Sequence, residues 1–218
     1  ALVCVIPVWN VLMISLSNSA AVDAGQVTVW PVKLTLSAYE QMLGDTVFFH
    51  AFLYSVVRTI LGTSMSMVLM FLMAYPLSRE KADFPARNFY MWFIVVTMLF
   101  NGGLIPTYLV VRKVGLANSI WALTVPGAVS TYNTILMMNY FRNLPKELSE
   151  SASIDGATPM RTLINIYLPV SVPVIATLTL FCALWHWNDY FQGMIYIDKA
   201  EDYPLMTYIR SLSLNTNA

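Results

Sequence analysis

The sequence predicts an all-α protein that lies in a membrane as a polytopic bundle of transmembrane helices. Hydrophobic residues make up 57% of the chain and charged residues 11%, where an ordinary soluble domain carries about 25% charge. Five stretches, Ala1–Val22, Thr59–Ser78, Asn88–Val111, Val114–Phe141 and Thr162–Asn188, contain no Asp, Glu, Lys or Arg. Each is long enough for a helix to cross roughly 30 Å of hydrocarbon, which takes about 20 apolar residues. A soluble chain of 218 residues could bury one core, but would need more surface charge than this.

The elements follow in order, and all 218 residues are read as one transmembrane domain. A first span is expected at 1–16, followed by the longest polar insertion, 17–46, with Asp23, Pro31, Lys33, Glu40 and Asp45. The second span, 48–77, carries Arg58 as its only charge, and a short basic loop, Arg79–Arg87, closes it. In the third, 88–111, Gly102, Gly103 and Pro106 predict a kink or a re-entrant break. The fourth, 120–141, contains Pro126-Gly127 and is expected to kink as well. The fifth, 166–190, has Pro169 and Pro173 near its start and the aromatic residues Trp185, Trp187, Tyr190 and Phe191 near its end. Ala1 stands inside an apolar run and Asn217-Ala218 in a polar one, so both ends read as cut, with a sixth span expected beyond Ala218. Basic residues are densest in Arg79–Arg87 and Arg142–Arg161, which places those loops in the cytoplasm and 17–46 outside.

The segment 143–164 is more than a connector. Asn143 is placed to cap a helix, Pro145 suits a first turn, and Glu147 and Glu150 suit the positive end of the helix dipole. Asp155-Gly156 reads as a helix stop with glycine in the left-handed conformation. Thr158-Pro159 then starts a second helix expected to run into the fifth span. Small residues, Ser149, Ser151, Ala152 and Ser153, would let another protein approach the backbone closely.

The spacing Glu150-Ser151-Ala152, three residues, Gly156, nine residues, Ile166-Tyr167-Leu168-Pro169 resembles the EAA loop of ABC-importer permeases, with serine replacing the first alanine. The phrases Asp155-Gly156-Ala157-Thr158, Asn101–Tyr108 and Trp187-Asn188-Asp189-Tyr190-Phe191 are similar to the carbohydrate branch, the maltose-type inner-membrane permeases. Within that branch the chain looks closest to the lipo-oligosaccharide and complex-polysaccharide subgroup. The resemblance implies a type I importer fold in the bacterial cytoplasmic membrane. It also implies that Glu150, Ser151, Ala152, Asp155, Gly156, Ala157, Leu168 and Pro169 couple the permease to a cytoplasmic ATPase dimer. A second homologous permease and an extracellular solute-binding protein would complete the importer, with a saccharide as substrate. Polyol or sugar-phosphate import is the alternative, with a non-transport polytopic membrane protein behind it. The chain has no G-x-x-x-x-G-K-[ST] loop, so ATP and Mg²⁺ are expected on the partner and no cofactor or catalytic activity here. The net charge of zero gives no reason to expect a nucleic-acid partner.

Candidate substrate-path residues are Tyr132, Asn133, Asn139, Arg58, Trp187, Asn188 and Asp189, each with a plainer reading beside it. Arg58 could line the path, hold a neighbouring helix, or snorkel to an interface. Trp185, Trp187, Asn188 and Asp189 could bind sugar or form an interfacial belt and helix end. Packing serves equally for Tyr132, Asn133 and Asn139. His50 and His186 are too scattered for a metal site, and the 13 methionines suit helix packing. An intramembrane enzyme would need paired catalytic groups at membrane depth, and the apolar runs supply none.

Overall fold

A computed structural model describes residues 2–216. The extreme residues Ala1 and Asn217-Ala218, on which the reading of cut ends rests, lie outside them. The described residues form helices, turns and loops without a β-strand, and the chain divides into two compact units, the first ending at Phe52.

In the first unit, α1 (Leu2–Ser15) is followed by two short helices, α2 (Ser19–Asp23) and α3 (Ser37–Gly44). Asn18 caps α2 by accepting from the Ala20 N–H. The polar stretch folds back on α1: Trp9 Nε1 donates to the Val29 carbonyl at 2.9 Å, and Asn10 Nδ2 to that of Thr28 at 2.8 Å. The Trp9 and Trp30 rings meet edge-on at 6.5 Å, while Val5, Ile6, Val8 and Val11 stay exposed along α1.

The long helix α4 (Thr46–Ser78) has 33 residues, about 50 Å at 1.5 Å per residue, so it outruns a bilayer core. It is the one described helix long and apolar enough to cross a membrane unbroken. Two further pairs of helices are apolar and long enough when taken together, but each is sharply bent, as in a broken span or a re-entrant loop. In the first, α5 (Arg87–Leu99) and α6 (Leu104–Lys113) meet at 115°. Gly103 there has φ 86°, its N–H is held by Asn101 Oδ1 at 2.9 Å, and Pro106 falls in the first turn of α6 where it removes no helical bond. This is a sharp break rather than the mild kink that two glycines alone would give.

The fourth predicted span is also interrupted. Helices α7 (Ile120–Thr124) and α8 (Thr131–Arg142) flank irregular backbone at 125–130, which contains Pro126-Gly127. After α9 (Glu147–Ile154) comes α10 (Pro159–Thr162), a π-turn at Leu163–Tyr167, and α11 (Leu168–Val170). Residues Pro159–Val170 then meet α12 (Val172–Asn188) at 88°. The second helix of the 143–164 segment therefore does not run straight into the fifth span. Pro173 cannot donate back to Pro169, and its ring opposes that carbonyl, so the helix turns at Ser171. The chain continues as α13 (Phe191–Tyr196), a 3₁₀ turn at Ala200–Asp202, and α14 (Leu205–Thr216).

Two cores hold the second unit. In the larger, Met67, Met70, Ala74 and Tyr75 of α4 pack with Met137, Met138 and Phe141 of α8, with Leu163 and Tyr167 of the π-turn, and with Leu178 and Cys182 of α12. Lipid is as apolar as leucine, so these helices gain little by leaving it and depend on close fit. Flexible methionine suits that task. The smaller core joins Val111, Ala122, Leu123, Tyr196 and Ile197, with Tyr108 stacked on Tyr196 at 6.2 Å. Asn118, at φ 58°, clasps it shut: its Nδ2 donates to Asp198 Oδ2 at 2.6 Å, and its Oδ1 accepts from the Asp198 N–H at 2.8 Å.

Candidate functional site: a projecting helix and a buried polar stripe

The projecting helix is α9. Asn143 does not cap it. That residue ends α8, its N–H bonding to the Asn139 and Tyr140 carbonyls, because Pro145 disfavours helical backbone just before it. Helix α9 starts instead at Glu147, after Lys146, with no side-chain cap. Its far end is built as the sequence predicts. Gly156 has φ 72°, its N–H bonds to the Ser153 carbonyl at 3.1 Å, and that of Ala157 to Ala152 at 2.9 Å. This is the double closure of a Schellman stop. Thr158 caps the next helix by accepting from the Arg161 N–H, with Pro159 in its first turn.

One side of α9 is anchored and the other is free. Ala152 is 4% exposed and packs inward, whereas Ile154 is 86% exposed, an apolar side chain held out at the tip. Glu150, Ser151, Asp155 and Gly156 are exposed, and Ala157 is half-buried. Leu168 packs against the larger core, while Pro169 beside it is exposed. Across shared clefts from α9, Tyr75, Phe141 and Tyr167 meet edge-to-face at 5.1–6.5 Å, and Arg79 lies over Tyr75 at 4.7 Å and Tyr167 at 5.3 Å. Lys146, just before α9, is paired with Glu80 of the 79–87 loop. That hydrogen bond and charge hold the Glu80 carboxyl below its ordinary value, and the same contact raises Lys146. A cleft of about 710 Å³ between loop and helix is lined by Arg79, Glu80, Asp83, Arg87, Lys146 and Glu150.

The second arrangement runs along α4. Ser55, Arg58, Gly62 and Ser66 recur at helical spacing and share one face. Ser55 Oγ accepts from the Leu205 N–H at 2.7 Å. Arg58 is fully buried. Its Nη2 pairs with Asp189 Oδ2 at 2.5 Å and donates to Gln192 Oε1 at 3.0 Å, while its Nη1 donates to the Asp189 carbonyl at 2.9 Å. Asp189 also receives the Phe191 N–H on Oδ1 at 3.1 Å, so it joins α4 to the turn between α12 and α13. Farther along, the His186 ring lies against Gly62, leaving no room for a Cβ there. Of the three readings of Arg58, this geometry favours the one that holds a neighbouring helix, since its guanidinium is buried on Asp189.

Residues 47–199 match the family model described as "Binding-protein-dependent transport system inner membrane component". The chain belongs to that family of permeases. It is 39% identical to the polygalacturonan/rhamnogalacturonan transport system permease protein YtcP of Bacillus subtilis over 212 residues, 97% of this chain and 73% of that one. It is 36% identical to protein LplC of the same organism, over 97% of this chain and 71% of that protein. Among solved structures, a bacterial ABC transporter involved in the import of the acidic polysaccharide alginate superposes with a TM-score of 0.93 at 32% identity, covering 100% of this chain and 77% of that one. The chain is thus a carbohydrate-type ABC permease with a helical membrane fold.

The permease gathers some of the predicted path residues and separates others. Arg58 and Asp189 meet as described. Tyr132 and Asn139, two turns apart on α8, are both exposed, whereas Asn133 turns inward and donates to Cys182 Sγ at 3.5 Å. Trp187 is half-buried and Asn188 exposed at the end of α12. From the sequence alone Ile154 and a Glu80–Lys146 pair carry no role, and His186 is considered only as a metal ligand. The small and polar residues at i, i+3, i+7 and i+11 from Ser55 were the signal that would have located the stripe holding Arg58.

Proposed function

We propose that this chain is one of two permease subunits of an ATP-driven importer, multi-pass in the bacterial cytoplasmic membrane. An extracellular binding protein delivers a saccharide to it, and a separate ATPase dimer, holding ATP and Mg²⁺, drives it through α9. The observation that carries the mechanism is the shape of α9: a short helix, stopped at Gly156, with Ala152 anchored and Ile154 held out on the same turn and a half. A groove on the ATPase that grips Ile154 and the small residues Ser151 and Ser153 would move a rigid lever. The lever ends on the Tyr75–Phe141–Tyr167 cluster, where α4, α8 and the π-turn converge, so displacement at the tip reaches three membrane elements at once. Glu150, Asp155 and Ala157 flank the grip; Leu168 and Pro169 join the lever to α12 through the 88° turn.

The relatives' printed names refer to polygalacturonan, rhamnogalacturonan and the acidic polysaccharide alginate, which supports assigning this importer an oligosaccharide of acidic-polysaccharide type. Uptake by vesicles holding the complete importer tests it. ATP-dependent accumulation of oligogalacturonides or alginate oligomers is expected. Accumulation of glycerol 3-phosphate alone would transfer the chain to the sugar-phosphate branch, represented by sn-glycerol-3-phosphate permeases that match over about half of this chain.

A further inference from the structure

We propose that the stretch 26–36, folded back on α1, is a membrane seat that lies at headgroup level in the outer leaflet, with Trp30 as its anchor. Its side chains make the first half of the case. Between Asp23 and Glu40 the only charge is Lys33. Val29, Trp30, Leu34 and Leu36 all stay exposed, Trp30 at 72% and Leu34 at 70%. Four large apolar side chains exposed in so short a stretch mark a contact surface rather than a turn washed by water. An indole suits the boundary, since its ring prefers hydrocarbon and its N–H prefers water. Lysine suits it too, because its stem lies along apolar surface while its ammonium reaches toward phosphate and water.

The backbone selects lipid as the occupant. A loop in water can leave its backbone groups to the solvent, but backbone near hydrocarbon needs partners within the protein. Here the Thr28 and Val29 carbonyls accept from Asn10 Nδ2 and Trp9 Nε1. The Val32 N–H donates to Ser17 Oγ at 3.1 Å, and its carbonyl accepts from the Asn18 N–H at 3.2 Å. The Thr35 N–H donates to the Leu16 carbonyl at 3.0 Å, and Pro31 has no N–H to satisfy. A protein partner arriving from water would not require the backbone to be closed off in this way. The depth agrees. Trp9 and Asn10 stand inside α1, whose last residue is Ser15, so the contact lies about 8–9 Å before the helix end at about 1.5 Å per residue. Segments lying in a membrane surface bury their apolar face about 5–10 Å into the headgroup and acyl boundary. The exposed Val5, Ile6, Val8 and Val11 of α1 are joined to this loop through the Trp9–Trp30 contact, so lipid that covers one reaches the other.

The test uses the complete importer reconstituted in vesicles of phosphatidylcholine and phosphatidylglycerol. In a background lacking Cys4 and Cys182, Trp30→Cys carries an environment-sensitive fluorophore, and spin-labelled phospholipids serve as quenchers. A lipid labelled near its headgroup should lower the emission about twofold, and one labelled deep in the acyl chain much less. The same fluorophore on Asp83→Cys should respond to neither. Position 30 stays reachable by a small aqueous thiol reagent, because the headgroup layer is hydrated. Leu34→Cys should give the same order of quenching and decides the matter if Trp30→Cys fails to assemble. Emission at both positions that only an aqueous quencher lowers would overturn the proposal. Emission that changes only when the extracellular binding protein is added would give this surface to that protein and overturn it equally.

Discussion

Single residues carry two of the strongest constraints in this permease. Arg58 is buried in the middle of α4 and would be expensive in a bilayer were it not spent on Asp189, Gln192 and backbone carbonyls. Removing one partner leaves the other charge buried and unpaired, which costs about 3–5 kcal/mol, whereas replacing both is often far less harmful. Arg58→Met alone should therefore lower the thermal stability of the purified complex sharply, and Arg58→Met with Asp189→Leu should recover most of it; equal losses in single and double variants would show the pair is not a structural unit. Gly156 works differently. A Cβ there meets nothing within 4 Å, so a first side-chain carbon at Gly156 meets no steric block within the chain. Gly156→Val does force a β-branched residue to φ 72°, at roughly 1–3 kcal/mol of backbone strain. The glycine turn was legible in the sequence because the Asp-Gly pair sits at a helix end. Arg58's role was not, since its partner lies 131 residues away and no local pattern reports such a contact.

At the scale of elements, the breaks decide the architecture. Gly102, Gly103 and Pro106 announced an interruption, but sequence alone could not say that α5 and α6 would meet at 115°, because the angle is set by what packs around the gap. Likewise Pro173 was visible, while the 88° at which Pro159–Val170 meets α12 was not. The Lys146–Glu80 pair ties α9 to the 79–87 loop at the surface. Both side chains are exposed, so the pair should serve alignment more than stability. Its pH window follows from the shifts. The lowered Glu80 carboxyl gives a contribution present above its ordinary value of 4.5 and lost as pH falls through its folded value. The raised Lys146 gives one present below 10.5 and lost as pH rises through its own. Coupled uptake should accordingly be insensitive to this pair between about pH 6 and 9. Lys146→Glu should uncouple ATPase activity from uptake without lowering the melting temperature, and Glu80→Lys with Lys146→Glu should restore coupling; an unaffected single variant would remove the pair from the mechanism.

For the whole molecule, composition alone made the helical membrane fold legible, and the Asp-Gly pair located the glycine-stopped end of α9, because both are repeated or local signals. Where the chain is polar and long-range, at the Arg58 stripe and the fold-back of 17–46 on α1, tertiary contacts had to be seen. The topology makes its own prediction: cysteines introduced at positions 83 and 155 should be labelled from the same, cytoplasmic side of the membrane, and one at position 30 from the opposite side. Labelling of 83 and 155 from opposite sides would invert the account. Its central claim is that α9 transmits the ATPase's motion to the spans. The most direct measurement compares wild-type and Gly156→Val complexes reconstituted in vesicles, reading uptake, substrate-stimulated ATP hydrolysis and co-purification of the subunits together. The permease should insert normally, while ATPase association or stimulated hydrolysis falls and uptake is lost. Normal coupled uptake by the Gly156→Val complex would contradict the claim that this helix carries the motion.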